Sequence, residues 1–155
     1  MSVEKVRDYF ASFGIAHRVR EVEGSSATVE LAAAALNTEA ARIGKTLSFR
    51  QGDGCLLVVT SGDMKIDNKK FKETFGLKAK MLTPEEALAM TGHAVGGVCP
   101  FALPEGVPVY LDQSLQRFDT IFPACGSSNS MIELTPSELV TYANNAKWVD
   151  VCKAR

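Results

Sequence analysis

Four stretches of this 155-residue chain combine residue types that could do chemistry. In Arg42-Ile43-Gly44-Lys45-Thr46-Leu47, Lys45 stands at the start of an apolar, β-rich run. A lysine there either snorkels from a strand end or turns its ammonium into a cleft, where a mobile cation suits a phosphate or a polarised carbonyl. Gly96-Gly97-Val98-Cys99-Pro100-Phe101 has two glycines that allow close backbone approach to a ligand and a proline that fixes the exit. Such a loop either connects two elements or supplies backbone donors to a developing oxyanion. Cys99 has no neighbouring histidine or cation in sequence to lower its pKa, which favours a packed or rim thiol over a nucleophile. In Pro123-Ala124-Cys125-Gly126-Ser127-Ser128-Asn129-Ser130, small residues could admit a substrate and hydroxyls could bond it; an ordinary polar turn reads the same way. Thr60-Ser61-Gly62-Asp63 sets a hydroxyl and a flexible glycine beside a basic segment, or is a plain turn. Asp63 has no acid–base partner nearby in sequence, so a two-carboxylate hydrolase is unsupported.

The rest of the composition narrows the chemistry. His17 and His93 are the only histidines, and they lie in different segments, so a Ser-His-Asp or Cys-His arrangement has little to work with. Cys55, Cys99, Cys125 and Cys152 form no CxxC pair; without a secretory signal they read as reduced thiols. No metal and no cofactor is expected: there is no GxGxxG after the first strand and no GxxxxGK[ST]. No apolar run approaches membrane-spanning length, and the charged start MSVEKVRDYF lacks an apolar signal core, so the expected location is the cytoplasm.

Charge is unevenly spread. The net charge is −1, which excludes a chain drawn to nucleic acid by bulk charge but not a local basic patch. Residues 61–80 carry six lysines against three acids, while residues 81–155 carry four basic and eight acidic side chains. Lys65, Lys69, Lys70 and Lys72 in this segment are either a solvated helix face or a landing strip for a polyanion such as the acceptor end of a tRNA. Phe71 and Phe75, at i and i+4, read as the buried side of that helix.

The elements that must hold these stretches follow from periodicity and punctuation. Residues 3–13 read as a helix with Val3, Val6, Phe10 and Phe13 on one face, closed by Gly14. Residues 16–22 alternate as a strand, and the Gly-Ser-Ser loop at 24–26 leads to a helix at 28–36. Residues 43–50 and 55–61 are β-rich, and Asp53-Gly54 between them predicts a hairpin. A helix over 67–75 and a short strand over 78–82 follow. Thr83-Pro84-Glu85-Glu86 is a capping-box helix start, repeated at Thr135-Pro136-Ser137-Glu138. Strands are expected near 107–111, 119–123, 130–134 and 147–152, with a helical turn near 113–116. The mixture predicts one α+β domain over residues 1–155, not a doubly wound sheet.

The order of these signals is more specific than any one of them. Gly44-Lys45-Thr46 leads into a strand, and Val58-Val59-Thr60-Ser61-Gly62-Asp63 ends the next. Val95-Gly96-Gly97-Val98-Cys99-Pro100-Phe101 follows, then Val109-Tyr110-Leu111-Asp112, Ala124-Cys125-Gly126-Ser127 and Ile132-Glu133-Leu134-Thr135-Pro136-Ser137-Glu138-Leu139. From about residue 3 to 151 the chain closely resembles the YbaK/ProX family, free-standing relatives of the editing domain inserted in bacterial prolyl-tRNA synthetase. The resemblance implies a mixed, curved and partly barrel-like β-sheet with short helices packed around it. It implies hydrolysis of the ester linking a wrong amino acid to tRNA. The family's lysine falls on Lys45, its Gly-Gly-x-Ser/Thr-Pro loop on Gly96 to Pro100 with Cys99 in the hydroxyl position, and its small-residue loop on Cys125 to Ser128. The mechanism that follows has Lys45 holding the terminal phosphate or the ester carbonyl, Gly97 and Val98 N–H groups on the oxyanion, and water attacking beside the ribose hydroxyl. Thr60, Ser61, Gly62, Gly96, Cys99, Pro100, Phe101 and Cys125 to Ser128 would surround the substrate. The implied partners are the acceptor end of an aminoacyl-tRNA and an aminoacyl-tRNA synthetase, with the chain a monomer or weak dimer. Two other readings fit the residues: a binding module of this fold without hydrolysis, and a cysteine-dependent enzyme acting on a small molecule.

Overall fold

The computed structural model describes residues 2–22, 28–94 and 96–155; the Gly-Ser-Ser loop at 24–26 and Val95 lie outside them. The hairpin of β2 (Ile43–Gln51) and β3 (Gly54–Ser61) is its centre, antiparallel from Gly44 opposite Ser61 to Gln51 opposite Gly54. The turn residues are therefore Gly52 and Asp53, not the Asp53-Gly54 pair expected from sequence: Gly52 supplies the left-handed position at φ 58°.

β3 is buried on both faces, and period two decides what each side meets. Leu57 and Val59 enter the main core with Phe10, Leu111, Leu115, Ile132 and Leu139, while Leu56 and Val58 enter a second core with Phe49 and Phe71. Each such side chain contributes about 1.5–3 kcal/mol by leaving water. α1 (Ser2–Ala11) covers the main core with Val6 and Phe10. It stops two residues short of the expected end, leaving Phe13 48% exposed with its ring edge-on to Tyr9 and Tyr142. The expected strand at 16–22 is a 3-10 turn, Ala16–Arg18, followed by β1 (Val19–Glu21).

The remaining elements are α2 (Val29–Leu36), β4 (Met64–Ile66), α3 (Asn68–Phe75), α4 (Pro84–Thr91), β5 (Val109–Asp112), β6 (Phe122–Pro123), β7 (Ser130–Ile132), α5 (Pro136–Tyr142), β8 (Lys147–Val149) and β9 (Cys152–Ala154). Both expected capping boxes form, with Thr83 and Thr135 as N-caps and Glu86 and Glu138 closing them. α3 starts on Asp67, whose carboxylate accepts the Lys69 and Lys70 amides, and buries Phe71 against Phe49 and Phe75. No strand forms over 78–82: one bridge, Met81 to Phe49, and the bonds Arg50 N–H to Lys80 C=O and Leu82 N–H to Ser48 C=O hold that segment to β2. The expected 147–152 strand is two, β8 and β9, which join different sheets.

The architecture is mixed α+β around a five-stranded sheet in the order β6-β2-β3-β5-β8, antiparallel at β2–β3 and parallel elsewhere. Bridges from Ile121 to Leu134 and from Ala124 to Met131 carry the curl on from β6 to β7, which pairs with β1. β6 is short: it covers only Ile43 and Gly44 of β2. Beyond it Met81 reaches Phe49, so the outer edge of β2 between Gly44 and Ser48 has no strand alongside among the described residues. Among those residues no helix is long and apolar enough to cross a membrane.

Candidate functional site

A cavity of about 660 Å³ opens against that uncovered edge. One wall is the start of α2, with Thr28, Val29 and Glu30; another is β2 from Ile43 to Ser48; Met81 and Leu82 close one side. The loops at Gly96–Val98 and Ala124–Ser128 close the other, and Phe122 and Met131 contribute further lining. Among the described residues, the charged ones that line it are Lys45, Glu30 and Arg155.

Lys45 is exposed on β2 opposite Thr60, and among the described residues no carboxylate lies within ion-pair distance of it. Among the described residues its ammonium thus has no counter-ion at the cavity. Thr60 Oγ1 approaches the Lys45 carbonyl at 3.5 Å from behind the strand. Ser61 and Gly62 also lie behind it. Ser61 Oγ donates to the Ala41 carbonyl and accepts from Arg117. At Gly62 an added Cβ would meet the Ala40 carbonyl and Val29 Cγ1, so this glycine lets α2 close onto the hairpin. Thr60, Ser61 and Gly62 position the cavity wall and are not among its lining residues. Asp63 finds the partner that local sequence did not show: Arg117 grips it at 2.6 and 3.0 Å, which holds its carboxyl below the usual carboxylate range.

The two loops meet backbone to backbone. A Cβ on Gly97 would sit 2.6 Å from the Gly126 carbonyl oxygen and 2.8 Å from the Ser127 nitrogen. Gly97 is buried, and its N–H donates to the Ala94 carbonyl at 2.9 Å. The expectation that Gly97 offers a free oxyanion donor is corrected by that bond. Val98 does line the cavity, and its N–H has no partner among the described residues. Gly96 lines it too, at φ 91°, as do Ser127 and Ser128. Ser127 Oγ is fixed by contacts of 2.6 Å to Ser130 Oγ and 2.9 Å to Asn129 Oδ1.

The other residues of the two loops turn inward. Cys99, Pro100, Phe101, Cys125 and Gly126 are all buried and none lines the cavity. Phe101 stacks edge-on against Phe10 at 4.7 Å. Cys99 Sγ lies 3.5 Å from His93 Nε2, and burial pushes its thiol up to about 12. Burial also raises Cys125 well above its ordinary value. His93 donates from Nε2 to the Phe101 carbonyl at 2.8 Å, and burial lowers its pKa. A neutral thiol beside a neutral imidazole, both shut inside the core, is not an activated nucleophile.

The basic segment is split by the fold. Lys65 lies on β4; Lys69 and Lys72 are exposed on α3. Lys70 is taken by Asp150 Oδ1 at 3.0 Å and the Cys152 carbonyl at 2.9 Å. Sequence reasoning missed Glu30, Met81 and Arg155 at the cavity. Each arrives through long-range packing, and no local pattern marks it.

The aminoacyl-tRNA editing domain family model matches residues 23–142. The uncharacterized protein YwhH of Bacillus subtilis (strain 168) is 54% identical over 154 residues, 99% of this chain and 98% of YwhH. The proline–tRNA ligase of Solidesulfovibrio magneticus is 36% identical over 90 residues, 57% of this chain but only 15% of that ligase. Among solved structures, one described as a "putative trans-editing enzyme for prolyl tRNA synthetase" superposes with a TM-score of 0.90 at 30% identity, covering 99% of this chain and 98% of its own.

Proposed function

Because the chain belongs to the aminoacyl-tRNA editing domain family, we propose that it hydrolyses the ester bond of mischarged aminoacyl-tRNA in trans, in the cytoplasm. The observation that carries this reading is one cavity lined by both Lys45 and Val98, whose ammonium and N–H respectively have no partner among the described residues. In this scheme the acylated 3′ adenosine enters beside β2. Lys45 holds the terminal phosphate or the ester carbonyl through a charge-assisted contact. Val98 N–H, without help from Gly97, donates to the developing oxyanion. Water attacks, oriented by the neighbouring ribose hydroxyl of the substrate, since neither histidine lines the cavity. An activated ester asks for positioning more than for a strong base.

Size exclusion would set the choice of amino acid. The small-residue wall of Gly96, Ala124, Ser127 and Ser128 favours a small side chain, because steric rejection of a larger one is stronger than the 1–3 kcal/mol or so that one methylene yields by attraction. The substrate partner is the acceptor end of an aminoacyl-tRNA; a prolyl-tRNA synthetase is the proposed protein partner, given the ligase relative.

The test is a panel of mischarged tRNAs incubated with the purified chain and scored for free amino acid, with Lys45→Ala as the control. Release that survives Lys45→Ala removes the lysine from the mechanism. One observation favours a second reading: the lining residues include no histidine and no cysteine. A module that holds acylated tRNA without cleaving it would bind the panel and release nothing.

A further inference from the structure

β4 and β9 form a two-stranded antiparallel ribbon in which Lys65 stands directly opposite Lys153. Both are exposed. Directly opposite residues in such a pair have Cβ atoms about 4.5–5.5 Å apart, and like charges there are destabilising. The ribbon continues past β9, since the Arg155 N–H donates to the Asp63 carbonyl at 3.3 Å. Lys153 and Arg155, two residues apart, therefore share the face that carries Lys65, at a spacing of roughly 6.6 Å. That spacing is of the order of the interval between successive phosphates along a nucleic-acid strand.

The acids on this face are already engaged. Asp63 is gripped by Arg117 through two bonds. Asp67 caps α3 through the Lys69 and Lys70 amides while sitting in the field of Lys153. The opposite face of the ribbon, with Met64, Ile66 and Cys152, is packed into the second core, so the exposed face presents charge without an apolar wedge for a lipid surface. One end of the row reaches the cavity itself, because Arg155 lines it together with Lys45.

We propose that Lys65, Lys153 and Arg155 form a phosphate track that guides the sugar-phosphate backbone of the RNA acceptor strand to the cavity. This deepens the editing reading and rests on it for the identity of the RNA. It moves the polyanion contact from α3, where Lys70 is already neutralised, to the β4–β9 ribbon. A phosphate seated between Lys65 and Lys153 relieves the repulsion that the free protein carries.

Two readouts with opposite signs test it, with uncharged tRNA as the probe. Lys65→Glu gives Lys153 a partner, so the thermal midpoint of the free protein rises by about 1–3 °C. The same variant weakens tRNA binding by about tenfold in 0.1 M salt. The Lys65→Gln/Lys153→Gln/Arg155→Gln variant flattens the log–log salt dependence by about two units. Lys65→Arg/Lys153→Arg keeps the charge and restores both affinity and slope. The track is overturned if Lys65→Glu binds tRNA like the parent, or if Lys69→Gln/Lys72→Gln takes the loss instead. The two proposals fail separately. Ribbon-dependent tRNA binding without ester cleavage keeps the track and removes the hydrolase; cleavage with ribbon variants of full affinity does the reverse.

Discussion

Gly97 approaches Gly126 so closely that a methyl group on it would lie 2.6 Å from the Gly126 carbonyl oxygen. The cavity's two loops are therefore one unit, and what moves either moves both. Gly97→Ala must force them apart, at a cost of about 1–3 kcal/mol. Urea unfolding measures that loss directly. Turnover of a cleaved substrate should fall at least about tenfold, because Val98 and Ser127, which line the cavity beside that contact, are displaced.

Lys45→Ala is expected to reduce deacylation to background under single-turnover conditions. Lys45→Arg keeps the positive charge but spreads it over a planar fork, and should recover binding more than turnover. Equal kcat values for Lys45→Arg and the parent would show that charge alone, without placement, is what the site needs.

All four cysteines are buried and unpaired. Thiol labelling of the native protein at pH 8 is expected to be slow at every one, with full labelling only after denaturation. Cys99, pushed up to about 12 by burial, should be among the most resistant. Cys99→Ser should keep turnover within about threefold while destabilising the fold by about 1 kcal/mol, as a hydroxyl replaces a thiol in the core. Rapid alkylation of the native protein with loss of activity would restore the cysteine-dependent reading.

The Arg18–Glu138 pair gives a pH signature. Arg18 reaches Glu138 at 2.9 Å and 3.2 Å, and Glu138 also closes the Thr135 capping box, so its carboxyl is lowered from 4.5 to about 2. A carboxyl depressed in the folded state contributes stability that is fully present above pH 4.5 and is lost as pH falls toward 2. The pair is about one-third exposed, so solvent screening reduces the expected loss to about 1 kcal/mol. Glu138→Gln should remove that part of the slope between about pH 5 and 2.5, read by urea midpoints.

How much of this was legible depended on how local each signal was. The Thr83 and Thr135 capping boxes, the 43–61 hairpin and the helix expected over 67–75 rest on neighbours within a few residues, and sequence read them correctly. The hairpin turn was misplaced by one residue, because Gly52 and Gly54 both offered the needed conformational freedom and register chose Gly52. Lys45, Gly96, Val98, Ser127 and Ser128 were picked from sequence and share one cavity. Cys99, Phe101 and Cys125 were picked with them but are buried, and a one-dimensional motif cannot say which of its members face the core. The bond from Gly97 to Ala94 and the arrival of Arg155 through strand pairing have no sequence signature at all.

The uncovered stretch of β2 carries a hazard of its own. Free backbone donors and acceptors along a strand invite a second molecule to add itself, and natural edges are guarded by charge, lysine above all. Lys45 stands at that stretch. The same ammonium would then serve as a gatekeeper against self-association, so Lys45→Ala protein should show a greater tendency to aggregate during expression and storage. Its lost turnover therefore reports on the chemistry of Lys45 only when measured on the freshly isolated monomeric fraction.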